Sequence, residues 1–378
     1  MKLVLFANTD WYLYNFRRSL ALALQATGHE LLLISPPGPY AEKLSELGLR
    51  WQSLPMDRRS LNPLREAALL VHLWRLFRRE RPDIVHCFTI KCAVYGSLAA
   101  RAARVPVRIS AVAGMGYVFT SKDAKARLLR PLVRALLRWA LGGRGARLIL
   151  QNPDDMALFA DAGLVDADRV DLIMGSGVDC ARYLARPGPR EAGPLRVLLA
   201  ARLLWDKGIA EYIVAARALR DEGRVIRFLI AGDRDPGNPA AVPESALLGW
   251  VDEGLIEWLG HVEDMPGLLA SADVFVLPSY REGLPKGLIE AAACALPLVT
   301  TDVPGCREVV QDGVNGLLVP AGDAQALGIA IARLQDAPEL AARLGRAARE
   351  KALTCFDESQ VVAATMEVYR NEPCRRNR

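Results

Sequence analysis

The stretch Asp273-Val274-Phe275-Val276-Leu277-Pro278-Ser279-Tyr280-Arg281-Glu282-Gly283-Leu284-Pro285-Lys286-Gly287-Leu288-Ile289-Glu290-Ala291-Ala292-Ala293-Cys294-Ala295 runs from an apolar strand through a polar loop into an apolar helix. Consecutive apolar residues bounded by turn formers fit a strand buried on both faces. Pro285 fits the first helical turn, where its missing N–H costs nothing. Glu282 therefore sits in the loop before the helix, and Glu290 falls near the second turn. Between them lie the first amides of a helix, which lack intrahelical acceptors and attract phosphate. Two hydroxyl-seeking carboxylates flanking an anion site suit a sugar nucleotide, with polyol at both ends and diphosphate in the middle.

The same alternation recurs along the whole chain. In the first half, strands are expected at Lys2–Ala7, Glu30–Ile34, Asp83–Phe88, Val107–Val112 and Arg147–Gln151, with helices such as Asn15–Thr27, Tyr40–Leu47 and Leu64–Arg79 between them. A Pro/Gly-rich break spans 185–194, and the pattern restarts at Arg196–Ala201, Ile226–Ala231, Ile256–Leu259, Asp273–Pro278 and Leu298–Thr301. Val/Ile/Leu strands joined by helices predict parallel sheets covered on both faces. The expected organisation is α/β: a first doubly wound domain over 1–184, a linker over 185–194 and a second such domain over 195–355. The last segment, 356–378, is expected to carry a helix that crosses back to the first domain. Ligand is expected in the cleft where the carboxyl ends of both sheets face each other.

The chain has 378 residues, 51% of them hydrophobic and 24% charged, the composition of a soluble two-domain protein. The seven cysteines are scattered and form no C-x-x-C, which argues against a disulfide framework and for a reducing compartment. The N-terminal apolar run is too short for a signal peptide, and no run reaches the roughly 18 apolar residues of a membrane span. The expected location is cytoplasmic. Residues 101–150 hold 11 Lys/Arg against the single acid Asp123. Within them Lys122, Lys125, Arg127, Arg130, Arg134 and Arg138 alternate with leucines, Val133 and Trp139 at helical spacing. Such a basic amphipathic helix can lie on an anionic lipid surface, or equally be a surface helix with solvated arginines. No nucleic-acid motif accompanies the charge.

A second basic element, Arg202-Leu203-Leu204-Trp205-Asp206-Lys207-Gly208, follows an expected strand and opens the helix Ile209–Arg220. By themselves Arg202 and Lys207 could be solvated surface cations. Joined to Glu282 and Glu290, they form a pattern that resembles the retaining GT-B glycosyltransferases of family 4. The likeness extends through Gly175-Ser176-Gly177-Val178-Asp179 (Ser176 stands where the family usually has Asn), Ala231-Gly232-Asp233, Gly260–Pro266, Pro297–Glu308 and Asp312–Val319. It covers about residues 170–322 and is specific. The resemblance implies two Rossmann-like domains facing a central cleft. It also implies a UDP-sugar donor, no metal and no cofactor. Arg202 and Lys207 would hold the diphosphate, Glu290 the ribose, and Glu282 with the amides of Gly283 and Leu284 the transferred sugar. Gly232 and the backbone at Val262 would line the nucleotide. The segments Ala113–Phe119, Asn8–Phe16 and Arg281–Lys286 resemble the subgroup that moves N-acetylhexosamines onto bacterial polyprenyl-diphosphate-linked glycans.

The first half would then hold the acceptor, with Asn8, Thr9, Asp10, His86, Gly114 and Gly116, joined by Lys286 from the second half. Asn8–Phe16 lacks the glycines many relatives carry there, and Ala113–Tyr117 lacks their histidine. His86 reads equally as a packed strand-end residue. Asp233-Arg234-Asp235 and Asp166-Ala167-Asp168 match D-x-D, a triplet common by chance, and the four histidines show no ligand spacing. A nicotinamide enzyme is disfavoured because no G-x-G-x-x-G follows an early strand. A different sugar nucleotide or a soluble acceptor is the alternative within the family, and a non-catalytic nucleotide-sugar or membrane-surface binding module the alternative outside it. The reading is thus a glycosyltransferase peripheral on the inner face of the cell membrane, working in surface polysaccharide assembly.

Overall fold

The computed structural model describes residues 1–57, 60, 62–112, 124–186, 188, 193–235 and 237–372, without the side chains of 124–130 and 132. The chain divides into two compact units, Met1–Ser176 with the chain from Ser359, and Gly177–Glu358. The division falls ahead of the Pro/Gly-rich stretch 185–194. The residues in between are already bonded to the second unit: the amide of Val178 donates to Phe356 O at 3.0 Å, and the amide of Glu358 donates to Val178 O at 3.0 Å.

The first unit is a seven-stranded parallel sheet in the order β3-β2-β1-β4-β5-β6-β7. Its strands are β1 (Lys2–Phe6), β2 (Glu30–Ser35), β3 (Trp51–Ser53), β4 (Ile84–Phe88), β5 (Val107–Ala111), β6 (Ala146–Leu150) and β7 (Val170–Leu172). Side chains alternate across the sheet. Val4, Phe6, Ile34 and Val85 pack under the helices Pro63–Glu80 and Ile90–Ala102, through Leu73, Phe77 and Cys92. Leu3, Leu5, Leu33 and Ile109 face the helix Asp10–Ala26 and the final helix Glu358–Asn371, through Leu13, Leu20, Val361, Met366 and Tyr369. The last helix of the chain therefore walls one face of the first sheet.

The second unit is a six-stranded parallel sheet in the order β10-β9-β8-β11-β12-β13. These strands are β8 (Leu195–Ala200), β9 (Ile226–Ala231), β10 (Glu257–Gly260), β11 (Val274–Leu277), β12 (Leu298–Thr301) and β13 (Leu317–Val319). Strand β8 pairs with β9 on one side and β11 on the other, so the strand order reverses there. β1 occupies the same position in the first sheet, between β2 and β4. Open parallel sheets take ligand outside the carboxyl ends of the strands at such a reversal. Those ends carry Arg202 and the 279–290 segment in the second unit, and Asn8 and Thr89 in the first.

The strands expected from the sequence form within a residue of the observed bounds. Three others, β3, β7 and β13, are three residues long at sheet edges, too short to show a period. The first helix begins at Asp10 rather than Asn15, because Thr9 caps it by accepting from the amide of Tyr12 at 3.1 Å. Pro285 stands just outside its helix, which runs Lys286–Ala293, so Glu290 keeps its place in the second turn.

Candidate active site

Three loops at the carboxyl end of the second sheet build the site. After β8 the chain passes Arg202, makes a tight turn at Trp205–Lys207 and enters the helix Ile209–Asp221. Gly208 allows this: its φ is +73°, and a Cβ there would lie 2.1 Å from Pro278 O. Only glycine adopts that conformation and that approach without strain. The amide of Tyr280 then donates to Asp206 O at 2.9 Å. The turn carrying Lys207 is thereby fastened to the exit of β11.

That fastening brings Lys207 to Glu282. Lys207 Nζ lies 2.6 Å from Glu282 Oε1, with both side chains largely buried. Ser279 Oγ donates to the same oxygen at 2.7 Å, and Ser279 is fully buried. The Ser279 carbonyl accepts from Thr301 Oγ1 at the end of β12. The loop after β12 closes against the same segment. The amide of Glu282 donates to Pro304 O at 3.3 Å, and a Cβ on Gly305 (φ +81°) would lie 2.7 Å from Glu282 O and 2.6 Å from Gly283 O. Burial, and then the charge of Glu282, push the Cys306 thiol up to about 12, so it stays a packed neutral group. An ammonium has three donors, and Glu282 takes one of those on Lys207. The pair presents a fixed cation beside a carboxylate pinned through one oxygen.

Glu290 is held in a similar way. Its Oε1 accepts from the Tyr183 hydroxyl at 2.8 Å, and Lys286 Nζ lies 3.5 Å from the same oxygen. Burial, and then the charge of Glu290, raise the Tyr183 phenol well above its ordinary value, so it remains a donor. Lys286, expected on the acceptor side, thus contacts the carboxylate expected to hold ribose.

Arg202 is set apart from these pairs. It is 62% exposed, and its Nη1 lies 3.4 Å from Asp235 Oδ2. Asn238 Nδ2 also donates to that oxygen, at 3.1 Å. Asp233, two residues earlier, faces His261 Nδ1 at 3.5 Å. The two carboxylates of this D-x-D triplet thus serve different partners. Gly232 joins the ends of β9 and β10, donating its amide to Gly260 O at 2.7 Å. Val262 follows two residues later, half-buried.

In the first unit, Asn8 and Thr9 follow β1, both half-buried. Asp10 is buried, and its carboxylate accepts from the amides of Trp11, Tyr40 and Ala41 at 2.7–3.0 Å. It closes the start of two helices, which is a structural task. His86 is 1% exposed, and its Nδ1 lies 2.6 Å from the Tyr369 hydroxyl. Burial and Arg17 hold its pKa well below the ordinary value. Gly114 and Gly116 lie outside the described residues. The sequence assigns no role to Ser279, Tyr183 or Thr301, and Asp235 figures there only in the triplet Asp233-Arg234-Asp235. Ser279 and Thr301 lie within family-like segments, whereas nothing local marks Tyr183.

Two family models match the chain. "Glycosyl transferase 4-like domain" matches residues 15–174, and "Glycosyl transferases group 1" matches residues 194–337. Among curated relatives, the N,N'-diacetylbacillosaminyl-diphospho-undecaprenol alpha-1,3-N-acetylgalactosaminyltransferase of Campylobacter jejuni is 28% identical, over 94% of this chain and 95% of the relative. The UDP-Gal:alpha-D-GlcNAc-diphosphoundecaprenol alpha-1,3-galactosyltransferase of Escherichia coli is 25% identical over 81% of this chain and 79% of its own length. Among solved structures, Anabaena Alr3699/HepE in complex with UDP superposes with a TM-score of 0.78 at 20% identity, covering 98% of this chain and all of that one. WaaG, a glycosyltransferase involved in lipopolysaccharide biosynthesis, gives a TM-score of 0.74 at 16% identity, with 98% of this chain and all of that chain covered. These structures share the GT-B arrangement of two Rossmann-like domains.

Proposed function

Because the chain belongs to the glycosyltransferases, its first half matching the 4-like domain and its second the group 1 domain, we propose that it moves an N-acetylhexosamine from a UDP-sugar to a saccharide on polyprenyl diphosphate. The anomeric configuration would be retained and the product used in a bacterial surface glycan. The observation that carries this reading is the Lys207–Glu282 pair at the β8/β11 reversal, with Glu290 a helical turn further on. Cleaving a sugar–phosphate bond builds negative charge on the departing UDP. Lys207, Arg202 and the first amides of the helix Lys286–Ala293 would stabilise that charge from fixed positions. Glu282, held at Oε1 by Lys207 and Ser279, would offer its other oxygen to hydroxyls of the transferred sugar. Glu290 would take the ribose, with Gly232 and Val262 along the nucleotide.

The acceptor side draws on the relatives. The C. jejuni and E. coli proteins are named for acceptors on a diphospho-undecaprenol, and both align with most of this chain. Asn8 and Thr9, half-buried at the strand-order reversal of the first sheet, would stand on the acceptor side, Thr9 while also capping the first helix. A lipid-borne acceptor calls for contact with a membrane surface. No helix among the described residues is long and apolar enough to cross one. The first unit instead exposes Leu64, Trp74, Leu136 and Trp139 on the helices Pro63–Glu80 and Ala124–Leu141. Arg78 sits over the Trp74 ring and Arg101 over Trp139. Exposed tryptophans flanked by arginines suit the headgroup layer of an anionic leaflet, and the inner face of the cell membrane is the proposed location.

The test is UDP release measured across UDP-hexosamines, with and without polyprenyl-diphosphate-linked saccharides. Release that requires both a UDP-N-acetylhexosamine and the lipid-linked acceptor is the expected result. Donor binding without turnover on any acceptor would reduce the chain to a binding module, and turnover on soluble acceptors alone would move it elsewhere in the family.

A further inference from the structure

The geometry points to Tyr183 as a positioning residue for Glu290, with Arg349 fixing both in one frame. This rests on the reading of Glu290 as the carboxylate that holds ribose. Tyr183 reaches Glu290 from 107 positions away in the sequence, and both residues are buried at the contact. The second tyrosine buried in this unit shows what an ordinary solution looks like. Tyr212 donates its hydroxyl to main-chain carbonyls, Val197 O at 2.8 Å and Leu229 O at 3.2 Å. Tyr183 donates to a carboxylate instead. Burying an ionised carboxylate against a phenol carries a desolvation cost that a carbonyl partner would avoid. The arrangement makes sense where the carboxylate itself must be held.

What is held is an angle. The last torsion of a glutamate is broad and roughly two-fold, so a lone Glu290 on its helix would spread its oxygens over many directions. Tyr183 and Lys286 both engage Oε1. Among the described residues no donor is recorded on Oε2, which is left to accept from a ligand hydroxyl. The phenol is itself anchored. Arg349 Nη1 donates to Tyr183 O at 3.0 Å and also to Ala293 O, the last residue of the helix that carries Glu290. One guanidinium therefore ties the main chain of Tyr183 to the helix of Glu290, and the phenol-to-carboxylate bond closes the triangle. Partners one step removed from a ligand-holding group set its orientation in this way.

Calorimetry on the full chain with UDP and with 2′,3′-dideoxy-UDP reads the effect, because the ratio of the two affinities isolates the ribose hydroxyls. The wild type is expected to prefer UDP, and Glu290→Gln to lose that preference. Tyr183→Phe keeps the ring and removes only the hydroxyl. It should lower the ratio by about tenfold, the usual loss when an orienting partner is removed. The affinity for dideoxy-UDP should stay unchanged, and KM for the donor should rise while kcat holds. An equal loss for both nucleotides would mean the hydroxyl serves folding, and would overturn the inference. An unchanged ratio in Tyr183→Phe beside a collapsed one in Glu290→Gln would overturn it too, leaving the ribose reading intact. A wild-type ratio in Glu290→Gln would remove the ribose reading and this inference together. Should Tyr183→Phe fail to fold, Arg349→Lys shortens the reach to both carbonyls while leaving the phenol. A fall in the ratio supports the frame, and an unchanged ratio overturns it.

Discussion

Lys207 Nζ and Glu282 Oε1 meet at 2.6 Å across 75 positions of sequence, and the hydroxyl of Ser279 shares the same carboxylate oxygen. The pair is largely buried, so its members cannot be treated as independent. Removing either leaves the other charge with a poorer environment than the intact pair provides.

Lys207→Ala is expected to lower kcat by about a hundredfold, the scale of losing one fixed charge-stabilising group. Glu282→Gln should cost a similar amount, and the double variant should be little worse than either single one. Steady-state UDP release on all three variants checks this. Strictly multiplicative losses would mean that the two groups act separately.

Gly305→Ala should destabilise the protein and raise the donor KM. The new methyl would press on the carbonyls of Glu282 and Gly283 while the backbone remains at φ +81°. Backbone strain of this kind costs about 1–3 kcal/mol. Gly313 has φ +69° but open space where its Cβ would go. Gly313→Ala therefore carries the conformational part alone. Thermal denaturation should show Gly305→Ala melting below Gly313→Ala, and equal melting temperatures would count against the contact.

Tyr369→Phe should cost about 1–2 kcal/mol, since it leaves the buried Nδ1 of His86 without its partner. His86 also gives stability a pH dependence. Burial and Arg17 depress its folded pKa well below 6.5. The unfolded chain therefore binds this proton more readily than the folded one. The His86 contribution is complete above pH 6.5 and is lost as pH falls from there toward the folded value. Unfolding free energy measured between pH 7.5 and pH 5 should decline, and His86→Gln should flatten that decline.

Purified protein should bind vesicles rich in anionic lipid and not neutral ones. Trp74→Ala with Trp139→Ala should weaken that binding several-fold at constant charge. Raising salt should weaken it further, because the arginine share of the attraction is screened. Sedimentation with vesicles of each composition is the measurement, and equal binding to both would remove the membrane claim.

Sequence reading reached the architecture because buried parallel strands are apolar runs, and such runs are visible without tertiary information. The places of Glu282, Glu290, Arg202 and Lys207 at strand ends and a helix start are legible because such ends can be located locally, while their proposed roles come from the family resemblance. It stopped short of Tyr183, whose neighbours in sequence say nothing of a carboxylate 107 positions away. Asp235 reads locally only as part of a triplet; that it partners Arg202 depends on two loops converging. The early start of the first helix was hidden because Thr9 and Asp10 read as a polar loop until the cap is seen. His86 could be taken either way, and its position in the middle of β4, against the last helix, decides that it is packed.

The return of the final helix to the first sheet bears on how the molecule is made. Val361, Met366, Val368 and Tyr369 cover apolar strand faces laid down by the first 150 residues. A ribosome delivers those strands well before the helix Glu358–Asn371, so the part of that face which the helix Asp10–Ala26 leaves uncovered stays open until the later helix emerges. Simple truncation after residue 176 would leave that part bare. An isolated first half should therefore aggregate unless the terminal helix is supplied, in cis or as a separate peptide.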